Sequence, residues 1–72
     1  MDDTIINDLI AKGQDDLQNG RTFDAKRRAR EALIRAELRK TSYLLEEESP
    51  LTERMLTDWF RECCMIFKGV SQ

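Results

Sequence analysis

A long stretch without helix-breaking residues most constrains how this chain folds. Between Phe23 and Glu48 the sequence has no Gly and no Pro and is rich in Ala, Leu, Arg, Lys and Glu, which are strong helix formers. We predict one helix over residues 23–48, about 39 Å long at the α-helical rise. Thr22 suits the N-cap position, and Ser49-Pro50 ends the helix because a residue before Pro is disfavoured in helical conformation.

This central helix carries apolar residues on two opposite sides when it is plotted at about 100° per residue. One stripe consists mostly of small side chains: Ala25, Ala29, Ala32, Leu33, Ala36, Tyr43 and Leu44. The other stripe is bulkier and sparser: Phe23, Ile34, Leu38 and Leu45. A simple surface helix needs one apolar stripe. Two stripes predict neighbours on two sides, either both in this chain or one in a partner.

Two further helices flank the central one. The first, over residues 2–18, has apolar residues and one glycine at helical spacing: Ile5, Ile6, Leu9, Ile10, Gly13 and Leu17. We expect Gly13 to mark a close helix approach, and Gly20 to end the helix as a left-handed C-cap. The third helix, over residues 50–68, closes at Gly69 and has a broad apolar face: Met55, Leu56, Trp59, Phe60, Cys63, Ile66 and Phe67.

These elements predict a single all-α domain over residues 1–72, a helical hairpin with a third helix packed on it as in a three-helix bundle. If the hairpin covers its own alanine stripe, the third helix packs on the bulky stripe or across the edge of the hairpin. Antiparallel pairing of the first two helices also suits the charges. It brings Asp15 and Asp16 near Lys26 and Arg27, and Asp2 and Asp3 toward Arg35 or Arg39.

A chain of 72 residues buries only about 60% of its unfolded surface and usually needs a covalent or metal staple, or a partner. Cys63 and Cys64 are adjacent and poorly placed for a disulfide with each other. We therefore expect a protein partner or a homo-oligomer. Free cysteines, an acidic start without a signal peptide and the lack of a long apolar run predict a cytoplasmic protein without a membrane span.

The residues needed for common catalytic chemistry are missing. The chain has no His, which is the usual general acid or base near neutral pH. It also lacks a glycine-rich phosphate loop and a nucleophile elbow. We predict a protein that is not an enzyme and that needs no small-molecule substrate, cofactor or metal ion.

Two functions remain open. The first is protein binding, in which a partner helix docks into an apolar groove and the contact residues are Ile34, Leu38, Leu45, Trp59 and Phe60. The alternative is a small regulator or antitoxin that binds DNA or RNA through the basic start of the central helix, with Arg27, Arg28, Arg30 and Arg35. The sequence does not decide between a homodimer and a heteromer.

A small residue, a large residue, a glycine turn and then Ala every few residues resemble the pattern of a tetratricopeptide-type helical hairpin. The residues that carry this pattern are Ala11, Gly13, Leu17, Gly20-Arg21, Ala25, Ala29, Ala32 and Leu33. The resemblance implies close antiparallel packing and a protein-binding role, although the chain has one hairpin where that family has repeats. The three-helix layout is similar to that of microtubule-interacting-and-transport domains. In size, helical-hairpin content and acidity the chain also resembles small co-chaperones of type III secretion systems, which implies an adaptor or chaperone-like subunit.

Overall fold

The computed structural model of the chain contains three α-helices, α1 (Asp2–Gln18), α2 (Thr22–Leu45) and α3 (Pro50–Ser71). It describes the backbone of residues 2–45 and 50–71 and, within them, the side chains of residues 3–41 and 53–71. The predicted all-α fold, a hairpin of two helices with a third packed against it, is confirmed. The end predicted for the central helix, at Glu48 before Ser49, lies outside the described residues.

The turn between α1 and α2 is a Schellman motif. The amide of Gly20 donates to the carbonyl of Leu17 at 3.2 Å, and the amide of Arg21 donates to the carbonyl of Asp16 at 2.8 Å. Gly20 has the left-handed φ of 78° that this motif requires. The predicted C-cap is therefore confirmed. The next helix begins at Thr22 rather than Phe23, so Arg21 occupies the cap position predicted for Thr22.

All three helices contribute to one core. Four alanines of α2 are fully buried, and they are surrounded by side chains from α1 and α3: Ile6, Ile10, Leu56, Trp59, Cys63 and Ile66. Small side chains on α2 let both neighbouring helices approach the same side of its backbone. The alanine stripe is thus shared by α1 and α3, and α3 does not pack on the bulky stripe.

Glycines allow the closest approaches between helices. A Cβ atom on Gly13 would lie 3.2 Å from Cδ1 of Ile66 and 3.6 Å from the carbonyl oxygen of Ala25, which agrees with the close helix approach predicted at Gly13. We predicted that α3 ends at Gly69, but the helix continues to Ser71. Gly69 lies inside the helix, where a Cβ atom would come within 2.6 Å of Cδ2 of Leu17, so its small size serves packing against α1.

Ion pairs join α1 to the hairpin turn and to α2. Asp16 is buried, and its Oδ1 accepts a hydrogen bond from Nε of Arg21 at 2.8 Å. Nε of Arg28 lies 3.1 Å from Oδ2 of Asp16, although without the alignment of a hydrogen bond. These two arginines, rather than the predicted Lys26 and Arg27, are the partners of Asp16.

At the other end of the hairpin, Nε of Arg39 donates to Oδ1 of Asp3 at 3.2 Å, which confirms the pairing predicted there for Asp3. Both ion-paired ends require the antiparallel arrangement of α1 and α2. The charges of α1 are therefore matched to those arginines of α2 that face it.

Candidate protein-binding face

One side of α2 is not covered by the rest of the described chain. We define the outer face of α2 as the exposed, described residues on the side away from the buried alanines: Phe23, Lys26, Arg27, Arg30, Glu31, Ile34, Glu37, Leu38 and Thr41. Three large apolar side chains on this face are exposed, Phe23 by 79%, Ile34 by 56% and Leu38 by 63%. From Phe23 to Leu38 the face extends about 22 Å along the helix.

The first half of the outer face is basic. Phe23, Lys26, Arg27 and Arg30 line a shallow, mostly apolar depression. Nη2 of Arg27 lies 3.4 Å from Oδ1 of Asp24 in an exposed contact, which contributes little to stability. Among the described residues, no carboxylate lies within ion-pair distance of Lys26 or Arg30. An apolar surface with cationic side chains around it is suited to an amphipathic ligand.

The structure separates the residues that we predicted for partner binding. Ile34 and Leu38 lie together on the outer face and are exposed. Phe60 is partly buried against the core, and the side chain of Leu45 lies outside the described residues. Trp59 is only 3% exposed, so the prediction that it is an exposed contact residue is wrong.

Trp59 is buried because the core accommodates both its ring and its N–H group. The ring packs with other core residues of α3 and the alanines of α2, and Nε1 donates to Oδ1 of Asn7 at 2.8 Å. A buried indole usually needs such a hydrogen-bond acceptor. Asn7 on α1 provides it, and no spacing rule within α3 could have indicated this contact.

The four arginines of the nucleic-acid alternative do not form one surface. Arg27 and Arg30 lie on the outer face, whereas Arg28 contacts the buried Asp16 and Arg35 lies 3.6 Å from Glu31. Nε of Arg35 is buried without a hydrogen-bond partner in the described structure. Two of the four arginine side chains are therefore already engaged in ion pairs within the fold.

The two cysteines have different environments. Cys63 is fully buried, and this burial, together with the nearby Cys64 and Glu62, raises the pKa of its thiol to about 11. Cys64 is exposed. Within the described part of the chain, no three potential ligands come together as a metal site would require, and no helix has the length and apolar character needed to cross a bilayer.

Phe23 is a candidate contact residue that our predicted set omitted. It was on the bulky stripe of α2, but its position at the start of the helix gave no sign that it would be the most exposed of the large apolar side chains. Met65 on α3 is also exposed, by 64%. It lies on a different surface, where it lines a shallow depression together with Gln14, Leu17 and Gln18 of α1.

Comparison with known proteins did not identify relatives. No family model matches the chain, and no significantly similar curated protein or solved structure was found.

Proposed function

We propose that this chain is a non-catalytic protein-binding module, an adaptor or small chaperone-like subunit, which docks a partner helix on the outer face of α2. One observation carries the proposal. Phe23, Ile34 and Leu38 are exposed, although four alanines on the opposite side of the same helix are fully buried. Large apolar side chains aligned on one helix face are typical of a helix-binding surface.

The size of the surface sets the strength of binding. Full burial of a large apolar side chain contributes roughly 1.5–3 kcal/mol, so three contribute roughly 5–9 kcal/mol before costs. Association itself opposes this with about 4–15 kcal/mol of lost motional freedom. Apolar contacts alone thus give weak, reversible binding. Such binding suits an adaptor, or a co-chaperone like those of the type III secretion systems that this chain resembles.

A binding selection against helical peptides tests this function. We expect peptides selected on the wild-type protein to bind at least about tenfold more weakly to the double variant Ile34→Ser and Leu38→Ser, because two apolar contacts are lost. Affinity would be measured by fluorescence anisotropy of labelled peptides. Met65→Ser is the matched control, since it removes an equally exposed apolar side chain from another surface. If Met65→Ser weakened peptide binding and the double variant of Ile34 and Leu38 did not, the proposal would be contradicted.

The nucleic-acid regulator is a second candidate because Lys26, Arg27 and Arg30 are contiguous on an exposed surface. Binding of DNA or RNA that weakens steeply with salt would support it. The ion pairs of Arg28 and Arg35 favour protein binding over this alternative.

A further inference from the structure

The charges of α2 are sorted between its two sides. Arginines that face α1 have carboxylate partners within the fold, Asp16 for Arg28 and Asp3 for Arg39. On the outer face, Lys26 and Arg30 have no such partner among the described residues. The acidic residues of α1 therefore neutralise the inner arginines and leave the outer cations available to another molecule.

The available cations lie next to the exposed apolar residues. Lys26 and Arg30 border the depression beside Phe23, and Ile34 is one helical turn beyond Arg30 on the same side. The contact between Arg27 and Asp24 is long and exposed, so exchanging it for a partner carboxylate has little energetic cost. A ligand for this surface needs an apolar stripe bordered by negative charge.

A second copy of this chain does not meet that requirement on the described residues. Its outer face carries Lys26, Arg27 and Arg30 against Glu31 and Glu37, and Glu31 already lies 3.6 Å from Arg35. Two such faces in parallel contact would place like charges together, which opposes association. In an antiparallel pair, Glu37 is the one carboxylate of the described outer face without an ion pair that could meet Lys26 and Arg30 of the other copy. A nucleic acid would pair with the cations but would leave Phe23, Ile34 and Leu38 without apolar contacts.

We propose that the outer face of α2 binds an acidic amphipathic helix. Apolar side chains of that helix contact Phe23, Ile34 and Leu38, and its Asp or Glu residues pair with Lys26 and Arg30. The helix is about 15 residues long, because that length spans the face from Phe23 to Leu38. This inference depends on the proposed function and specifies the charge of its partner.

Three synthetic peptides of about 16 residues test the charge requirement. They share one leucine stripe at helical spacing, and the positions that border the stripe are all Glu, all Gln or all Lys. Binding is measured by fluorescence anisotropy at low and at physiological ionic strength. We expect the Glu peptide to bind about tenfold more tightly than the Gln peptide at low ionic strength, through two or more exposed ion pairs, and this preference to shrink as salt increases.

Charge reversal identifies the protein residues involved. In the double variant Lys26→Glu and Arg30→Glu, we expect the Glu peptide to lose its preference and the Lys peptide to bind more tightly than the Glu peptide. The matched control is Arg54→Glu with Lys68→Glu, which changes the net charge equally at exposed positions of α3. That control should retain the preference for the Glu peptide.

The possible outcomes separate the two proposals. Equal binding of the Glu and Gln peptides, weakened by Ile34→Ser and Leu38→Ser, overturns the charge inference and leaves the proposed function intact. If no peptide distinguishes that apolar double variant from wild type, both proposals fail. A dimer of the unliganded protein that Ile34→Ser and Leu38→Ser dissociate would show that a second copy occupies the face. If labelled duplex DNA or single-stranded RNA binds the protein, and this binding depends on Lys26 and Arg30 but not on Ile34, the result would support the nucleic-acid regulator instead.

Discussion

At the scale of single residues, the three glycines of this chain have two kinds of structural role. Gly20 adopts a left-handed conformation in the α1–α2 turn. Gly13 allows Ile66 and the backbone of α2 to approach α1, and Gly69 leaves space for Leu17. Only the first role concerns backbone conformation, whereas the other two concern volume. Substitutions at these positions therefore have different physical consequences.

The substitution Gly20→Ala should destabilise the protein by about 1–2 kcal/mol, because an L-residue is strained at a left-handed φ. A Cβ atom at this position would meet no other atom within 4 Å, so the loss measures backbone strain alone. Gly20→Asn is the control, since Asn tolerates this conformation better. Chemical denaturation gives the free energies of unfolding. An alanine variant as stable as wild type would show that the turn adopts another conformation.

The two thiols should differ in reactivity. Burial raises the pKa of Cys63 from 9.0 to about 11, so this thiol stays protonated and inaccessible at mildly alkaline pH, while Cys64 is exposed. A chromogenic disulfide reagent should modify one thiol rapidly in the native protein, and Cys64→Ser should remove that fast phase. If Cys64→Ser left the fast phase intact, the burial of Cys63 would be contradicted.

The same thiol should make the free energy of unfolding depend on pH. The thiol of Cys63 has a higher pKa in the folded protein than in the unfolded protein. Between these two pKa values the folded protein therefore retains a proton that the unfolded protein loses. This contribution to stability is complete below pH 9.0 and is lost as the pH rises toward about 11.

At the scale of elements, α2 has two different sides. Its four buried alanines lie where α1 and α3 meet, and its outer face keeps large apolar residues exposed. Small side chains on the inner side are necessary because two helices share that side. The volume of each alanine position is thus fixed by packing, whereas side chains on the outer face are free to vary without loss of fold.

Enlarging one alanine tests this difference. Ala32 is fully buried, and Ala32→Leu should destabilise the protein by about 1–3 kcal/mol or more through overpacking. Ala11 on α1 is exposed, so Ala11→Leu is a matched control that should change stability by less than about 0.5 kcal/mol. Thermal and urea denaturation measure both. Equal effects of the two substitutions would contradict the shared packing of the alanine stripe.

At the scale of the whole molecule, the described helices close a single core in an elongated bundle of 41 × 20 × 15 Å. Leu56, Trp59, Cys63 and Ile66 of α3 are all sealed in this core. The bundle therefore does not need the outer face of α2 for its own packing.

The double variant Ile34→Gln and Leu38→Gln should consequently fold as well as wild type. These side chains are more than half exposed, so each substitution should change the free energy of unfolding by less than about 0.5 kcal/mol. The melting temperature should also be independent of protein concentration, since the described helices close their core without the outer face of α2. Melting temperatures that rise with concentration would indicate stabilisation by self-association.

Much of the fold could be predicted from local patterns. The bounds of α1, the left-handed Gly20 and the buried alanines follow from capping residues and helical periodicity, which act over a few residues of sequence. The extent of α3 could not be predicted in this way. Gly69 is a common helix terminator, and its role inside the helix depends on Leu17 in a distant part of the chain.

Two of the three exposed apolar residues of the candidate site were predictable for the same reason. Ile34 and Leu38 were identified by their shared stripe, which is a property of one helix. Trp59 was also on an apolar face, but whether that face is covered depends on α1 and α2. The indole N–H finds its acceptor on Asn7, far away in the sequence.

The sequence by itself determined three helices, their antiparallel hairpin and two apolar sides on α2, because periodicity and caps are local properties. Only the tertiary structure decided which side would be covered. Since alanine side chains leave room for two neighbouring helices on one side, α3 joins α1 there and the bulkier side of α2 remains exposed.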